Sequence, residues 1–137
     1  MSATTDDPHA AHKRLVSAFR TALYSGTSDE ARRALSSICA DDAVFHHCHP
    51  IGDHTGADAF FDAAFAPLIT AMPDMERRDY IVMAGQTPEG ADWVGCGGTY
   101  VGTFMAPWLE IPPTGHIAHM RFHEFYRIAD GQLVEFQ

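Results

Sequence analysis

Positive charge and long apolar runs are both scarce in this chain of 137 residues. Nine Lys and Arg residues against eighteen Asp and Glu give a formal net charge of −9, whereas nucleic acids and anionic membranes bind basic surfaces. No apolar run approaches the roughly 20 residues that cross a bilayer. The N-terminal residues also lack the basic start and apolar stretch of a secretory signal. We therefore expect a cytoplasmic protein with neither a nucleic-acid nor a membrane partner.

Cysteine is also scarce, and the common nucleophile motifs are missing. Cys39, Cys48 and Cys96 are odd in number and widely spaced, without a CxxC pair, which is typical of reduced thiols rather than of a disulfide framework. No GxSxG elbow is present. The glycine-rich segment 95–102 is not followed by the helix that a phosphate-binding loop requires. The sequence therefore gives no support to serine-nucleophile or nucleotide-binding chemistry.

The first half of the chain has the pattern of helices. Apolar residues make up 46% of the sequence, enough for one globular domain over residues 1–137. Asp7 and Pro8 are typical of a helix start, and Thr27 with Glu30 predicts a capping box for a second helix. A third helix is expected before residue 72, with Pro67 kinking or breaking it.

The second half has the pattern of strands. After residue 75 the apolar period changes from 3.6 to 2, so helices are followed by hairpin-connected strands. This order indicates an α+β domain in which a curved antiparallel sheet packs on helices. The apolar, proline-rich segment 104–115 interrupts the strands and is expected to cover the end of the sheet, contact a second subunit or act as a lid. Strands are predicted near 75–85, 91–104, 116–129 and 132–137.

One predicted strand carries a single carboxylate among apolar side chains. Alternation places Glu124 on the same face as Met120, Phe122 and Tyr126. Burial in such a row disfavours an isolated charge, so Glu124 is a candidate general acid or base near neutral pH. Two alternatives stay open: a structural carboxylate tied to a backbone amide or a basic neighbour, and a solvated carboxylate at a sheet edge. The opposite, partly basic face is expected to meet solvent or a second subunit.

Four histidines between residues 46 and 54 raise the question of a metal site. In a strand, His46 and Cys48 would point to one face and His47 and His49 to the other, so the whole group cannot converge on one ion. His47 and His49 could still chelate an ion as a pair, together with His54 or Asp53. No second group of His, Cys and carboxylate residues stands at a recognisable ligand spacing. We therefore expect no metal. His46 is predicted to face a pocket as a hydrogen-bonding or proton-transfer residue, with a structural histidine as the alternative.

Several motifs, in one order along the chain, resemble the SnoaL-like polyketide cyclases of the NTF2-like superfamily. The most specific are GTYVGTF at 98–104, IPPTGH at 111–116 and FYRIADGQLVEF at 125–136. The similarity covers nearly the whole chain from Leu15 to Gln137. It implies an NTF2-like cone, in which N-terminal helices pack on a strongly curved antiparallel sheet that encloses a pocket. It also implies homodimers formed through the sheet, and no metal or organic cofactor.

The same resemblance implies acid/base chemistry on a small hydrophobic carbonyl compound. Cyclases of this family remove a proton next to a carbonyl, and the enolate closes a ring by intramolecular aldol addition inside an apolar cavity. Glu124 falls at a position of a pocket histidine and His46 near a polar pocket residue, so we predict these two as catalytic. The predicted substrate-binding residues are Trp93, Tyr100, Phe122, Met120, Trp108 and Phe61.

Two expectations bear on whether the chain is an active enzyme. The resemblance places the family's principal acid/base aspartate just beyond Gln137, and we therefore expect the chain to be a fragment whose continuation supplies it. The superfamily hosts cyclases, isomerases and non-enzymatic binders alike. The function expected from the resemblance is thus a cofactor-free cyclase or isomerase, and the alternative is a non-catalytic small-molecule-binding module.

Overall fold

The computed structural model describes residues 7–137, which form four helices and one sheet of six strands. None of these helices is both long enough and apolar enough to span a bilayer. The helices are α1 (Pro8–Ser25), α2 (Ser28–Ile38), α3 (Ala57–Ala63) and α4 (Phe65–Ala71). The strands are β1 (Cys39–His46), β2 (Asp53–Thr55), β3 (Glu76–Gln86), β4 (Asp92–Thr103), β5 (Ile117–Ala129) and β6 (Gln132–Phe136).

The helices begin and end where their local chemistry predicts. The Asp7 side chain accepts a hydrogen bond from the His9 backbone at the start of α1. Thr27 and Glu30 form the predicted capping box of α2, each side chain accepting from the other's backbone N–H. The predicted third helix is divided at Ala64 into α3 and α4. Pro67 explains the break, because it has no N–H for an intrahelical bond and its ring crowds the preceding turn.

The sheet is mixed rather than wholly antiparallel as expected. Its strand order is β2-β1-β6-β5-β4-β3, and β1 pairs with β6 in parallel while all other neighbours are antiparallel. The four C-terminal strands lie within one residue of the predicted bounds. Strand β2 was not predicted, because three residues are too few to show a period of two. The predicted α+β class is confirmed.

The helices cover one side of the sheet, which we call the inner face. Val16, Phe19 and Leu23 of α1 are buried against it, together with Val94 of β4 and Tyr126 of β5. The opposite side, the outer face, carries several exposed apolar side chains. Alternation along each strand therefore decides which residues can reach a site between the helices and the sheet.

A bulge and a glycine bend the sheet beside the candidate site. The pairing of β3 with β4 shifts register between Asp79 and Ile81, which leaves an extra residue on β3. Opposite Asp79 stands Gly98, where a Cβ atom would lie 2.0 Å from the Arg78 carbonyl oxygen and 2.7 Å from the Phe122 ring. Bulges bend a strand and increase its twist, so this pair of features curves the sheet around the cavity described next.

Candidate active site

A cavity of about 450 Å³ lies between the inner face of the sheet and helix α4. Strands β4 and β5 form one wall, α4 forms another, and the segments after β1 and β4 complete the lining. Its walls are largely apolar with a few polar groups, which is the usual composition of a small-molecule site. The lining residues are His47, Cys48, His49, Pro50, Ile51, Ala64, Phe65, Leu68, Tyr100, Trp108, Leu109, Met120, Arg121, Phe122, His123 and Glu124.

Glu124 contributes a carboxylate to this cavity and is only 3% exposed. Its Oε1 accepts a hydrogen bond from the Tyr100 hydroxyl at 2.6 Å. Its Oε2 accepts two more, from Nη1 of Arg77 at 2.6 Å and from the Tyr126 hydroxyl at 2.5 Å. Three donors, one of them a guanidinium, compensate the negative charge and fix the orientation of the carboxylate.

Arg77 links Glu124 to a second carboxylate, that of Asp79, and through Asp79 to a second guanidinium, that of Arg20. Its side chain is fully buried, and it donates to Asp79 through Nε and Nη2 as well as to Glu124 through Nη1. Arg20 of α1 contacts the other side of Asp79 at 3.1 Å. The guanidinium carbon of Arg77 also lies 4.1 Å from the ring centroid of Phe122. The resulting row of alternating charges has no net charge, which makes its burial tolerable.

The environment keeps the donors of this network protonated near neutral pH. Burial, and after it the charge of Glu124, raises the pKa of the Tyr100 and Tyr126 hydroxyls well above the ordinary value. Burial acts to lower the pKa of Arg77, but the Glu124 carboxylate and its other neighbours raise that pKa above its ordinary value. The two tyrosine hydroxyls and the Arg77 guanidinium therefore remain hydrogen-bond donors in the neutral pH range.

His47 also lines the cavity but lies outside this network. Its environment favours the neutral imidazole. Its ring stacks on Phe60 with centroids 5.1 Å apart and planes 15° apart. Burial lowers the pKa of His47 below the ordinary histidine value, more than the charge of Glu124 raises it. A neutral imidazole at a cavity wall can accept a proton from a bound molecule.

Trp108 brings a hydrogen-bond donor to the same cavity. It belongs to the segment between β4 and β5, and its indole Nε1 is buried without a hydrogen-bond partner among residues 7–137. Backbone hydrogen bonds in both directions join it to Ile111 across a tight turn at Leu109 and Glu110. An unpartnered buried donor needs an explanation, and an acceptor atom on a bound ligand would supply one.

Five of the eight predicted site residues line the cavity, namely Glu124, Tyr100, Phe122, Met120 and Trp108. Trp93 does not line it. Trp93 is an odd-numbered residue of β4 and borders a groove on the outer face, whereas Val94, Cys96 and Tyr100 alternate onto the inner face. The sequence shows that Trp93 is aromatic, but only the strand register shows on which face of the sheet it lies.

His46 and Phe61 also lie elsewhere. Strand β1 buries Phe45, so His46 points outward, where its Nδ1 lies 2.9 Å from Asp53 Oδ1. The residue that reaches the cavity is the next one, His47. Phe61 is fully buried in the core, with the Arg32 guanidinium 4.7 Å from its ring centroid. It is not among the residues that line the cavity.

The predicted alternation does not hold in the histidine-rich segment, because β1 ends at His46 and His47, Cys48 and His49 all line the cavity. His46 contacts Asp53, His47 stacks on Phe60, and His54 donates through Nε2 to the Ile51 carbonyl oxygen at 2.8 Å. Sequence reasoning missed His47 by one position. It also missed Arg77, for which alternation in β3 opposite Tyr100 is the only signal.

Two of the cysteines are unsuited to nucleophilic catalysis. Burial raises the pKa of the Cys39 thiol to about 12 and that of the Cys96 thiol to about 11. A thiol that stays protonated near neutral pH is a poor nucleophile. Neither Cys39 nor Cys96 is therefore a candidate nucleophile.

Comparisons with known proteins give one consistent result. A family model described as SnoaL-like polyketide cyclase matches residues 13–136. A search of curated proteins found no match. Among solved structures, a proposed SnoaL-like polyketide cyclase from Jannaschia sp. CCS1 has a TM-score of 0.72 and 21% identity, covering 98% of this chain and 88% of that chain.

Two Streptomyces proteins have similar folds. IdmH from Streptomyces antibioticus, a proposed polyketide cyclase, has a TM-score of 0.71 and 20% identity, covering 90% of this chain and 87% of its own. AclR from Streptomyces galilaeus, a proposed hydroxylase, has a TM-score of 0.71 and 20% identity, covering 93% and 86%. At such identities the likeness concerns the fold.

Proposed function

The chain belongs to the SnoaL-like polyketide cyclase family, and from this premise we propose that it is a cofactor-free acid/base enzyme of the cyclase or isomerase type. Its substrate would be a small hydrophobic compound with a carbonyl group. The cavity carries the proposal, because it combines apolar walls with a neutral histidine and an indole N–H that has no hydrogen-bond partner within residues 7–137. AclR, a proposed hydroxylase of the same fold, is a reminder that the fold does not determine the reaction.

In the proposed reaction His47 removes a proton from the carbon next to the substrate carbonyl. The electron pair of the broken C–H bond forms an enolate, whose oxygen accepts a hydrogen bond from Trp108 Nε1. The enolate carbon then attacks a second carbonyl of the same molecule, and a C–C bond closes the ring. The new alkoxide takes the proton back from the His47 imidazolium. An isomerase would instead return that proton to another carbon.

Glu124 supports this reaction in one of two ways. The sequence predicts it as the acid or base itself. Its three hydrogen bonds favour a different role, in which its fixed negative charge stabilises the imidazolium formed on His47. Both assignments belong to the same function, and separate variants distinguish them.

The test measures deuterium exchange at the α-carbon of enolisable aromatic ketones by NMR, alongside ligand binding by calorimetry. His47→Gln is expected to lower the exchange rate by about 10²–10⁴-fold while binding is retained. The exposed His119→Gln is the matched control and should leave the rate unchanged.

Exchange that survives in His47→Gln but is lost in a folded Glu124→Gln would assign the base to Glu124. Loss in His46→Gln instead would restore the sequence assignment. Binding without exchange in the unmodified chain would favour the binding-module alternative.

We also propose a homodimer formed through the outer face. An apolar patch lies there, composed of Ile81, Met83, Trp93 and Phe125, which we call the outer patch. Met83 and Phe125 pack over Gly95, where a Cβ atom would lie 3.0 Å from the Phe125 ring. Ile81, Met83 and Phe125 are each about half exposed, at 52%, 50% and 46%. Contiguous exposed apolar side chains of this kind are typical of interaction sites.

A cytoplasmic location is part of the same proposal. The three cysteines are free thiols, and Cys39 and Cys96 are buried. Free thiols are usual in reducing compartments. Fractionation of the native host, with the chain detected by antibody, would test the location directly.

A further inference from the structure

The first turns of α1 bring two histidines to a carboxylate of the sheet, and we propose that His9, His12 and Asp92 bind a divalent transition-metal ion, with Zn²⁺ as the best match. Each residue offers one ligand atom, and these three atoms lie within 4.8 Å of one another. All three residues are partly buried. None of them lines the cavity described above, so the proposed metal site is separate from the candidate active site.

The histidines occupy positions that the rest of α1 uses for packing. Residues 9, 12, 16, 19 and 23 follow one another at spacings of three and four, which places them on one side of a helix. The last three, Val16, Phe19 and Leu23, are buried apolar residues. The same side of the helix therefore changes from apolar residues to histidines at its first two turns.

Asp92 lies on the surface that this side of α1 meets. It is the first residue of β4, and alternation with Val94 and Cys96 places it on the inner face. Its Oδ1 accepts a hydrogen bond from Gln86 Nε2 at 3.3 Å, across the β3–β4 pair. Such outer contacts orient a ligating carboxylate in metal sites.

Both histidines have an unsatisfied ring nitrogen. The Nδ1 atoms of His9 and His12 are buried without a hydrogen-bond partner among residues 7–137. Two buried imidazole nitrogens without partners among these residues, in a group that also holds a carboxylate, carry a desolvation cost that a shared cation would offset. The spacing of the three ligand atoms is within the range that one ion can bridge.

The types of the ligand atoms restrict which ion would bind. Two imidazole nitrogens and one carboxylate oxygen suit Zn²⁺ and related divalent ions, whereas Mg²⁺ and Ca²⁺ prefer oxygen ligands throughout. An ion there would join the start of α1 to the β3–β4 hairpin. This inference departs from the expectation that no metal binds. The sequence could not indicate the site, because the carboxylate lies some 80 residues from the His-x-x-His pair and the three residues have no recognisable ligand spacing.

The test uses the full chain after treatment with a chelator, with Zn²⁺ binding followed by titration calorimetry. We expect one Zn²⁺ per chain. Loss of an outer contact lowers metal affinity by 10–100-fold, so Asp92→Asn and His12→Gln, which remove ligands themselves, should each weaken binding by more than about 100-fold. His119→Gln, an exposed histidine elsewhere, should leave the affinity unchanged. Zn²⁺ at about 100 times its dissociation constant should raise the melting temperature by roughly 8–10 °C.

Two results would overturn the proposal. One is a Zn²⁺ affinity that stays the same in Asp92→Asn and His12→Gln. The other is an affinity that falls only in His49→Gln, which would place the ion in the histidine-rich segment. Where a variant fails to fold, Co²⁺ added to the unmodified chain decides the matter, because its paramagnetic NMR shifts must fall on His9 and His12. Shifts on other histidines, or none, would leave these three residues as a polar contact without a metal.

Discussion

At the scale of single residues, the environment of Glu124 determines what it can do. A carboxylate in an apolar row is a candidate acid or base when only the sequence is known. The structure surrounds it with Tyr126 of the same strand and with Arg77 and Tyr100 of other strands. The strand pattern places Tyr126 on the same face, but it cannot show Arg77 and Tyr100, which is why the sequence left a structural carboxylate open as an alternative.

The pair formed by Arg77 and Glu124 gives the first prediction. Arg77→Ala removes the main compensation of a buried carboxylate and should lower the free energy of unfolding by about 3–5 kcal/mol. Urea denaturation of the purified variant measures this loss. The double variant Arg77→Met with Glu124→Leu should recover much of it, because no unpaired charge remains. A loss below about 1 kcal/mol in the single variant would show that the pair is not a coupled buried unit.

Trp108 gives a prediction in which ligand affinity falls while stability stays nearly constant. Trp108→Phe keeps an aromatic ring but removes an N–H that has no partner within residues 7–137. Relief of this unsatisfied donor should offset the smaller ring, so the unfolding free energy should change by less than about 1 kcal/mol. Ligand affinity should fall by about 10-fold, the value of roughly one hydrogen bond. Equal affinities in the two proteins would remove the indole from the proposed reaction.

His47 gives a prediction about pH. Burial holds the pKa of its folded state below that of the unfolded chain, so the unfolded state binds more protons as the pH falls. The stability associated with neutral His47 is thus fully present above the ordinary histidine pKa of the unfolded chain. It is lost as the pH falls toward the lowered pKa of the folded state. His47→Gln should flatten this part of the stability profile between about pH 7 and pH 5, measured by urea midpoints. An unchanged profile would contradict the assignment.

At the scale of helices and strands, local chemistry predicted most boundaries. Capping residues fixed the starts of α1 and α2, Pro67 divided the third helix, and the period of two marked β3 to β6. Features that depend on long-range contacts could not be predicted. The parallel pairing of β1 with β6 and the three-residue β2 leave no local pattern, and a shift of one residue at the end of β1 exchanged His46 for His47 at the cavity.

The turn beside Trp108 gives the prediction that belongs to this scale. Leu109 and Glu110 have φ angles of 48° and 66°, a conformation that costs L-residues about 1–2 kcal/mol each. Glu110→Gly should therefore raise the unfolding free energy by about 0.5–1 kcal/mol, after the added freedom of glycine in the unfolded chain is subtracted. Glu89→Gly, in another exposed turn, has no such strain to relieve and should lower it. Thermal denaturation of both variants makes the comparison, and an equal loss in both would contradict the expectation.

At the scale of the whole molecule, the two faces of the sheet have different surroundings. The inner face meets the helices and borders the cavity, as the predicted fold implied, and five of the eight predicted site residues line that cavity. Trp93 was misplaced because an aromatic residue suits either face, and only the register of β4 decides between them. Trp93 lies beside Met83 and Phe125 and is therefore part of the outer patch.

The outer patch therefore leads to a prediction about assembly. A homodimer through this face would bury Met83 and Phe125, and a charge placed there would have to lose its hydration. Phe125→Asp should convert the dimer to a monomer in sedimentation-velocity experiments, with the fold retained by circular dichroism. Tyr24→Asp is the matched control, since Tyr24, at 52% exposure, is at least as exposed as Phe125 but lies on α1, away from the outer patch. A dimer lost in Tyr24→Asp and kept in Phe125→Asp would move the interface to the helical side. A monomer in the unmodified chain would mean that the patch serves another partner or none.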